Sequence, residues 1–133
     1  MNSFRVHILA ADHTFYDGPC ESLTIPAPDG QYGILAGHAN TIVPGTLRLR
    51  VPGGEAQIAA VSSGVVKIED NDVLVLVDSA ERPEDIDRLR AQHAADAAKE
   101  AMLQKRSIRE YREAQLTLAR AIARLHVKSL SGQ

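Results

Sequence analysis

The stretch DGQYGILAGHAN, Asp29 to Asn40, gathers residue types that could do chemistry: three glycines able to bring backbone close to a ligand, and His38, able to move a proton. A Walker-type phosphate loop needs Lys and then Ser or Thr after its last glycine, but Gly37 is followed by His38 and Ala39. A dinucleotide loop needs a helix next, and here short apolar pieces and Pro44-Gly45 follow. As a general base, His38 lacks a neighbouring nucleophile or carboxylate in sequence, unless Asp29 or Asp12 folds against it. Two readings stay open: a turn shaped by its glycines, or a turn whose Gln31, Tyr32 and His38 meet another protein.

The other histidines are scattered. His7 falls on the polar side of a strand, and His93 and His126 fall on separate helices, so no spacing fits a zinc site. Cys20 is the only cysteine. It excludes an internal disulfide, points to a reducing compartment, and without a cationic neighbour reads as a small buried residue rather than a nucleophile. No catalytic set emerges. A second constellation is cationic: Arg120 and Arg124 lie one turn apart on a predicted helix, downstream of Ile86-Asp87-Arg88-Leu89-Arg90-Ala91. Like charges at that spacing cost a helix roughly 0.2–0.5 kcal/mol. The pair is therefore either a solvated face or a site awaiting an anion, whether a phosphate chain or acidic side chains of a partner.

The elements that must carry these residues divide near residue 80. Before it, apolar residues alternate: Phe4, Val6 and Ile8 with Arg5 and His7; Leu47, Leu49 and Val51 with Arg48 and Arg50. Pro52-Gly53-Gly54, Asp70-Asn71 and Asp29-Gly30 punctuate the runs. This predicts short strands in an antiparallel β-sandwich or flattened barrel over residues 1–80. In DVLVLVD both faces are apolar, so Leu74 and Leu76 need a second cover, from the C-terminal segment or from a partner.

From Pro83 the period becomes helical. Proline suits a first turn, and Glu84, Asp85 and Asp87 place negative charge at the positive end of a helix running to about Lys105. Ser107 to Glu110 has the S-x-x-E spacing of a capping box and opens a second helix with Ile108, Tyr111, Leu118, Ile122 and Leu125 on one stripe. Residues 81–133 thus form a two-helix antiparallel hairpin. Its first helix is rich in alanine, and an alanine methyl buries about 0.8 kcal/mol against about 1.5–3 for Leu or Ile. Such a hairpin packs closely, is held weakly and can open.

Among the 133 residues, 44% are hydrophobic and 24% charged, a composition of globular proteins, and the net charge of −2 gives no basic field for nucleic acid. Charge is unevenly shared: −5 over residues 1–80 and +3 over 81–133, with Arg120, Arg124 and Lys128 beyond the last acid, Glu113. No apolar run approaches the roughly 20 residues needed to cross a bilayer. The N-terminus has neither a secretory core nor a transit-peptide pattern, so membrane association is expected only through a partner.

Taken together, DGQYGILAGHAN followed by PGTLRLR, then SSGVVKIEDNDVLVLVDSAER, DIDRLRA and LARAIARLHV, the chain resembles the epsilon subunit of F-type ATP synthases. The resemblance implies a non-catalytic central-stalk subunit that couples rotation to ion translocation. Its sandwich would dock on the gamma subunit and the c-ring through Gln31, Tyr32, Gly33 and His38. Its hairpin would fold down or extend along gamma into the alpha/beta catalytic hexamer, where Arg120, Arg124 and Lys128 would meet an acidic segment of beta and inhibit ATP hydrolysis. Certain bacterial members bind ATP on the folded hairpin through an I/L-D-x-x-R-A motif and two later arginines. Ile86, Asp87, Arg90, Ala91, Arg120 and Arg124 match that pattern, with Glu81 beside them. A further basic position expected late in the first helix is alanine, which lowers the expected affinity. No cofactor or metal is implied beyond regulatory ATP. The isolated subunit is expected to be a monomer. Its place would be peripheral, on the cytoplasmic face of a bacterial membrane or, second, the stromal side of a plastid thylakoid. The alternatives from the residues alone are a free-standing interaction module with a helical hairpin, and a small enzyme built on His38.

Overall fold

The computed structural model describes residues 3–28, 30–32, 39–104 and 106–131. Gly33 and His38, named above as partner-facing, lie outside them, as does Asp29. Among the described residues ten strands come first: β1 (Phe4–Ala10), β2 (Thr14–Cys20), β3 (Ser22–Ala27), β4 (Gly30–Tyr32), β5 (Ala39–Ile42), β6 (Gly45–Arg50), β7 (Ala56–Val61), β8 (Gly64–Glu69), β9 (Asp72–Val77) and β10 (Ala80–Glu81). A single 3-10 turn, Pro83–Asp85, leads to α1 (Arg88–Gln104) and α2 (Ile108–Leu130).

The strands form two five-stranded sheets, β2-β1-β9-β8-β5 and β10-β7-β6-β3-β4, packed face to face. Pairing is antiparallel except between β1 and β9, which run parallel with Val6 beside Val73 and Ile8 beside Val75. The period-two pattern is realised as expected. Val6, Ile8, Leu47, Val66 and Val75 are fully buried between the sheets, and their neighbours Arg5, Arg48 and Lys67 point out. Cys20 is likewise fully buried, its thiol donating to the Ser22 carbonyl at 2.9 Å. Burial pushes that thiol's pKa up, away from nucleophilic use. Gly64 is required by close approach: a Cβ there would stand 2.0 Å from the Leu76 carbonyl oxygen on β9.

The helices differ from expectation at one end. Pro83 opens the 3-10 turn instead of the helix, and Ile86 is extended (φ −93°, ψ 126°). Asp87 caps α1: its Oδ1 accepts the Arg90 amide at 3.1 Å. Helix onset is decided by the residue whose side chain can satisfy an orphan N–H, and that is Asp87, four residues after the proline. At α2 the expected signal holds, with the Ser107 hydroxyl accepting the Glu110 amide at 3.0 Å.

The hairpin folds onto the second sheet, with α2 across β6 and β7. Its seat is a small apolar cluster of Ala60, Ile86, Ala123 and Val127. Between the helices the buried residues are almost all alanine: Ala91, Ala95 and Ala98 on α1, Ala114 and Ala121 on α2. The hairpin therefore leaves the outer face of the first sheet open. Of the two covers considered for Leu74 and Leu76, the C-terminal segment is not the one: they remain 37% and 42% exposed.

Candidate functional site

The conspicuous polar chemistry lies where α2 meets the sandwich edge. The edge strand β10 ends in Glu81, held in register by pairing with Ala60. From α2, forty-three positions away, Arg124 reaches it, donating Nε–H to Oε1 at 2.5 Å with both side chains about one-third exposed. One turn earlier, Arg120 borders the same point with Ser62 and Ser79. One turn later, the Lys128 ammonium donates to the Pro83 carbonyl at 2.9 Å. On the flank toward β6, His126 Nδ1 lies 2.8 Å from the hydroxyl of the buried Thr46. Four basic residues of α2 thus face the sandwich in the folded posture.

Beside the Glu81–Arg124 pair opens a cleft of about 340 Å³ lined by Glu81, Asp85, Asp87, Arg90, Ala91 and Arg124. Most of the residues expected from sequence to hold a nucleotide therefore come together here. Ile86 does not line it, being 4% exposed and packed under α2 with Ala123 and Val127. Arg120 does not line it either, bordering instead a neighbouring recess with Glu81, Arg124, Ser62 and Ser79. Asp87 has its Oδ1 committed to capping α1. Arg90 is exposed at the cleft's rim. The backbone of Gln31 and Tyr32 pairs with Pro26 and Ile25 as an edge strand of the second sheet.

Sequence reading missed the partner of Arg124. Glu81 precedes the proline turn and carries no motif of its own, and only strand pairing reveals that it faces α2. It also left the outer face of the first sheet undecided. There Leu76 sits across from Val65 on β8 and Leu9 on β1, and Leu74 sits across from His7. Asp17 rims this face, accepting from Arg5 at 2.8 Å and lying 3.0 Å from His7 Nδ1. The His7 hydrogen bond foremost, then the nearby charges of His7 and Arg5, hold the Asp17 carboxyl below its ordinary pKa despite some opposing loss of hydration. His13 lies 2.7 Å from Asp12, exposed and remote from the cleft. Among the described residues no group of His, Cys, Asp or Glu is arranged to hold a metal ion, and no helix is long and apolar enough to cross a membrane.

Two family models match consecutive parts of the chain: the beta-sandwich domain of the ATP synthase delta/epsilon chain over residues 3–83, and its long alpha-helix domain over residues 84–129. An ATP synthase epsilon chain from Nitrosospira multiformis is 37% identical over 128 residues, spanning 94% of this chain and 92% of that one. Another, from Caldicellulosiruptor saccharolyticus, is 35% identical over 130 residues, spanning 96% and 94%. In fold, the chain is similar to one in the solved Euglena gracilis mitochondrial ATP synthase assembly of OSCP, F1 and c-ring. The TM-score is 0.74 at 20% identity, over 96% of this chain and 80% of that one.

Proposed function

The chain belongs to the ATP synthase delta/epsilon family, as an epsilon chain of the F-type enzyme, and from that premise we propose that it is a non-catalytic rotor subunit whose hairpin regulates ATP hydrolysis by leaving the sandwich. The observation that carries this reading is the unequal grip on α2. Its seams are lined mostly with alanine, its seat adds only Ile86 and Val127 as larger buried apolar side chains, and the remaining ties are polar and partly exposed: Glu81–Arg124, His126 to Thr46 and Lys128 to a backbone carbonyl. Polar ties of this kind are each worth roughly 0–1.5 kcal/mol. The hairpin can therefore part from the sandwich without disturbing the apolar core between the sheets.

In the folded posture Arg124 and Lys128 spend their charge on the sandwich. On release, Arg120, Arg124 and Lys128 present an acid-free basic end suited to an acidic segment of the beta subunit, in the alpha/beta hexamer, an interaction that weakens with salt. The open face around Leu74, Leu76 and Val65 supports docking on the stalk subunit gamma, and the turn of residues 29–40 remains the proposed contact to gamma and the c-ring. Association with a membrane is then indirect, through the ring, on the cytoplasmic face of a bacterial membrane.

ATP is the proposed regulatory ligand, seated in the cleft with its phosphates toward Arg90 and Arg124. A ligand at 100 times its dissociation constant stabilises the state it binds by about 2.7 kcal/mol, comparable to the polar grip on α2. The test combines two readouts on the Arg120→Ala, Arg124→Ala double variant: hydrolysis by the reconstituted enzyme, and ATP binding by the isolated chain. Inhibition should be relieved and binding weakened; if neither changes, the proposal fails.

A further inference from the structure

On α2 the large apolar side chains and the buried ones are different residues. The buried positions are Ala114 and Ala121, toward α1, and Ala123 and Val127, in the seat on the sandwich. The stripe read from the sequence lies elsewhere on the helix. Its members Ile108, Tyr111 and Ile122 are 72%, 40% and 52% exposed, and Leu118 and Leu125 are only partly covered. The folded posture therefore hides the small face of α2 and leaves the large one outside.

With Gln115 included, the stripe steps by three and four residues from Ile108 to Leu125, the alternation of a and d positions in a heptad. That spacing holds one row of side chains along a neighbouring helix, and a single polar residue in the row fixes its register. The flanking e and g positions are Arg112, His126 and Lys128, and otherwise alanine. Glu110 and Glu113 fall at c and f, away from the row, as Arg120 and Arg124 do. A second copy of α2 would set base against base across such a row, whereas a helix flanked by acids complements it.

We infer that this stripe is a docking face for an amphipathic helix of another chain, one with acids beside its own apolar row, and that it is open to that helix while the hairpin is still folded. The Glu81–Arg124 tie lies on the other side of α2 and need not break for the partner to engage. The order of events, which rests on the regulatory reading above, is then capture on the outer face first and release of the inner face second.

The test titrates the isolated full-length chain into a dye-labelled synthetic peptide of about three heptads, the length of the stripe, with Leu at a and d and Glu at e and g. Repulsion between its own Glu residues keeps the peptide from pairing with itself. Fluorescence anisotropy is expected to show saturable binding, with a peptide carrying Lys at e and g bound roughly tenfold more weakly at low salt. Ile108→Asn/Ile122→Asn, which leaves the buried positions untouched, is expected to weaken binding by more than about tenfold. Ala60→Cys/Ala123→Cys joins two residues of the seat, so that oxidation ties α2 to the sandwich. The oxidised chain is expected to bind within about threefold of the same chain after reduction, because the stripe is already open. No saturable binding, or native binding by the Asn variant, overturns the docking face; loss of binding on oxidation overturns the order of events. Dyes on α2 and the sandwich in the reconstituted enzyme test the regulatory reading by itself: a hairpin that never parts from the sandwich ends that reading and the second step, while peptide binding by the stripe would still establish the face.

Discussion

The imidazole Nδ1 of His126 lies 2.8 Å from the hydroxyl oxygen of Thr46, joining the last third of α2 to the middle of the second sheet across eighty positions of sequence. Thr46 is 3% exposed, so this contact fixes where α2 crosses β6. Replacing His126 with alanine removes a side chain that is itself exposed and leaves the sandwich core intact. A hydrogen bond of this kind contributes a net of about 0.5–1.5 kcal/mol. Amide exchange along α2 is therefore expected to quicken roughly two- to twelvefold in H126A, while exchange in β1, β8 and β9 stays unchanged. An equal rise in both regions would mean that the helix and the sandwich unfold as one unit.

The alanine seam makes a sharper demand. Ala121 is fully buried, and Ala95 and Ala98 of α1 are 2% and 5% exposed. Close helix approach leaves no room for a longer side chain, and overpacking a tight site costs about 1–3 kcal/mol. Ala121→Leu is expected to push α1 off α2 and raise the open fraction of the hairpin, without lowering the melting temperature of the sandwich. An interhelical distance measurement beside a thermal melt separates the two effects. If the helices stay together at their native spacing, the seam is not what sets the hairpin's weakness.

That seam was legible from composition, because alanines recurring through residues 91–101 bury little and pack closely whatever they face. The change from strands to helices was equally legible, since a side-chain period of two gives way to one near 3.6. The Ser107 cap announced itself through local spacing alone. What could not be read are relationships that exist only after folding. Glu81 meets Arg124 because β10 is the outer strand beside β7, and no local pattern states which strand ends a sheet. Asp87 rather than Pro83 starts α1 because the chain first uses Ile86 to fill the space under Ala123 and Val127, which keeps that residue extended. Leu74 and Leu76 belong to an apolar run whose second face is covered by nothing within the described residues, so their exposure depends on where the hairpin lands.

Asp17 ties the rim of that open face to pH. Its folded pKa is depressed, foremost by the hydrogen bond to His7 and then by the charges of His7 and Arg5. A depressed carboxylate contributes stability that is present above its unfolded pKa and is lost as pH falls through the folded value. Acid destabilisation by this group is therefore confined to the region at and below the ordinary carboxylate range, and neutral pH leaves it intact. Asp17→Asn is expected to flatten the acid limb of a stability-versus-pH curve. A variant whose acid limb matches the native chain's would show that Asp17 gains nothing from its neighbours on folding.

Leu74 and Leu76 are exposed at 37% and 42%, with Val65 at 45% beside Leu76 across the β8–β9 ladder. This row, on a sheet that the helices leave bare, is the surface proposed above to dock on gamma. Because both side chains point away from the core while Val73, Val75 and Val77 fill it, changing them should not cost the fold. Leu74→Asp with Leu76→Asp is expected to leave the melting temperature of the isolated chain within a few degrees, as surface substitutions usually fall within about 0.5 kcal/mol. The same pair would bury two unpaired carboxylates if the face docks on gamma, which costs several kcal/mol and lowers binding by more than about a hundredfold. Co-purification of the double variant with gamma, compared with the native chain, measures this directly. Retention of native binding would move the stalk contact elsewhere on the sandwich and leave this face without its proposed partner.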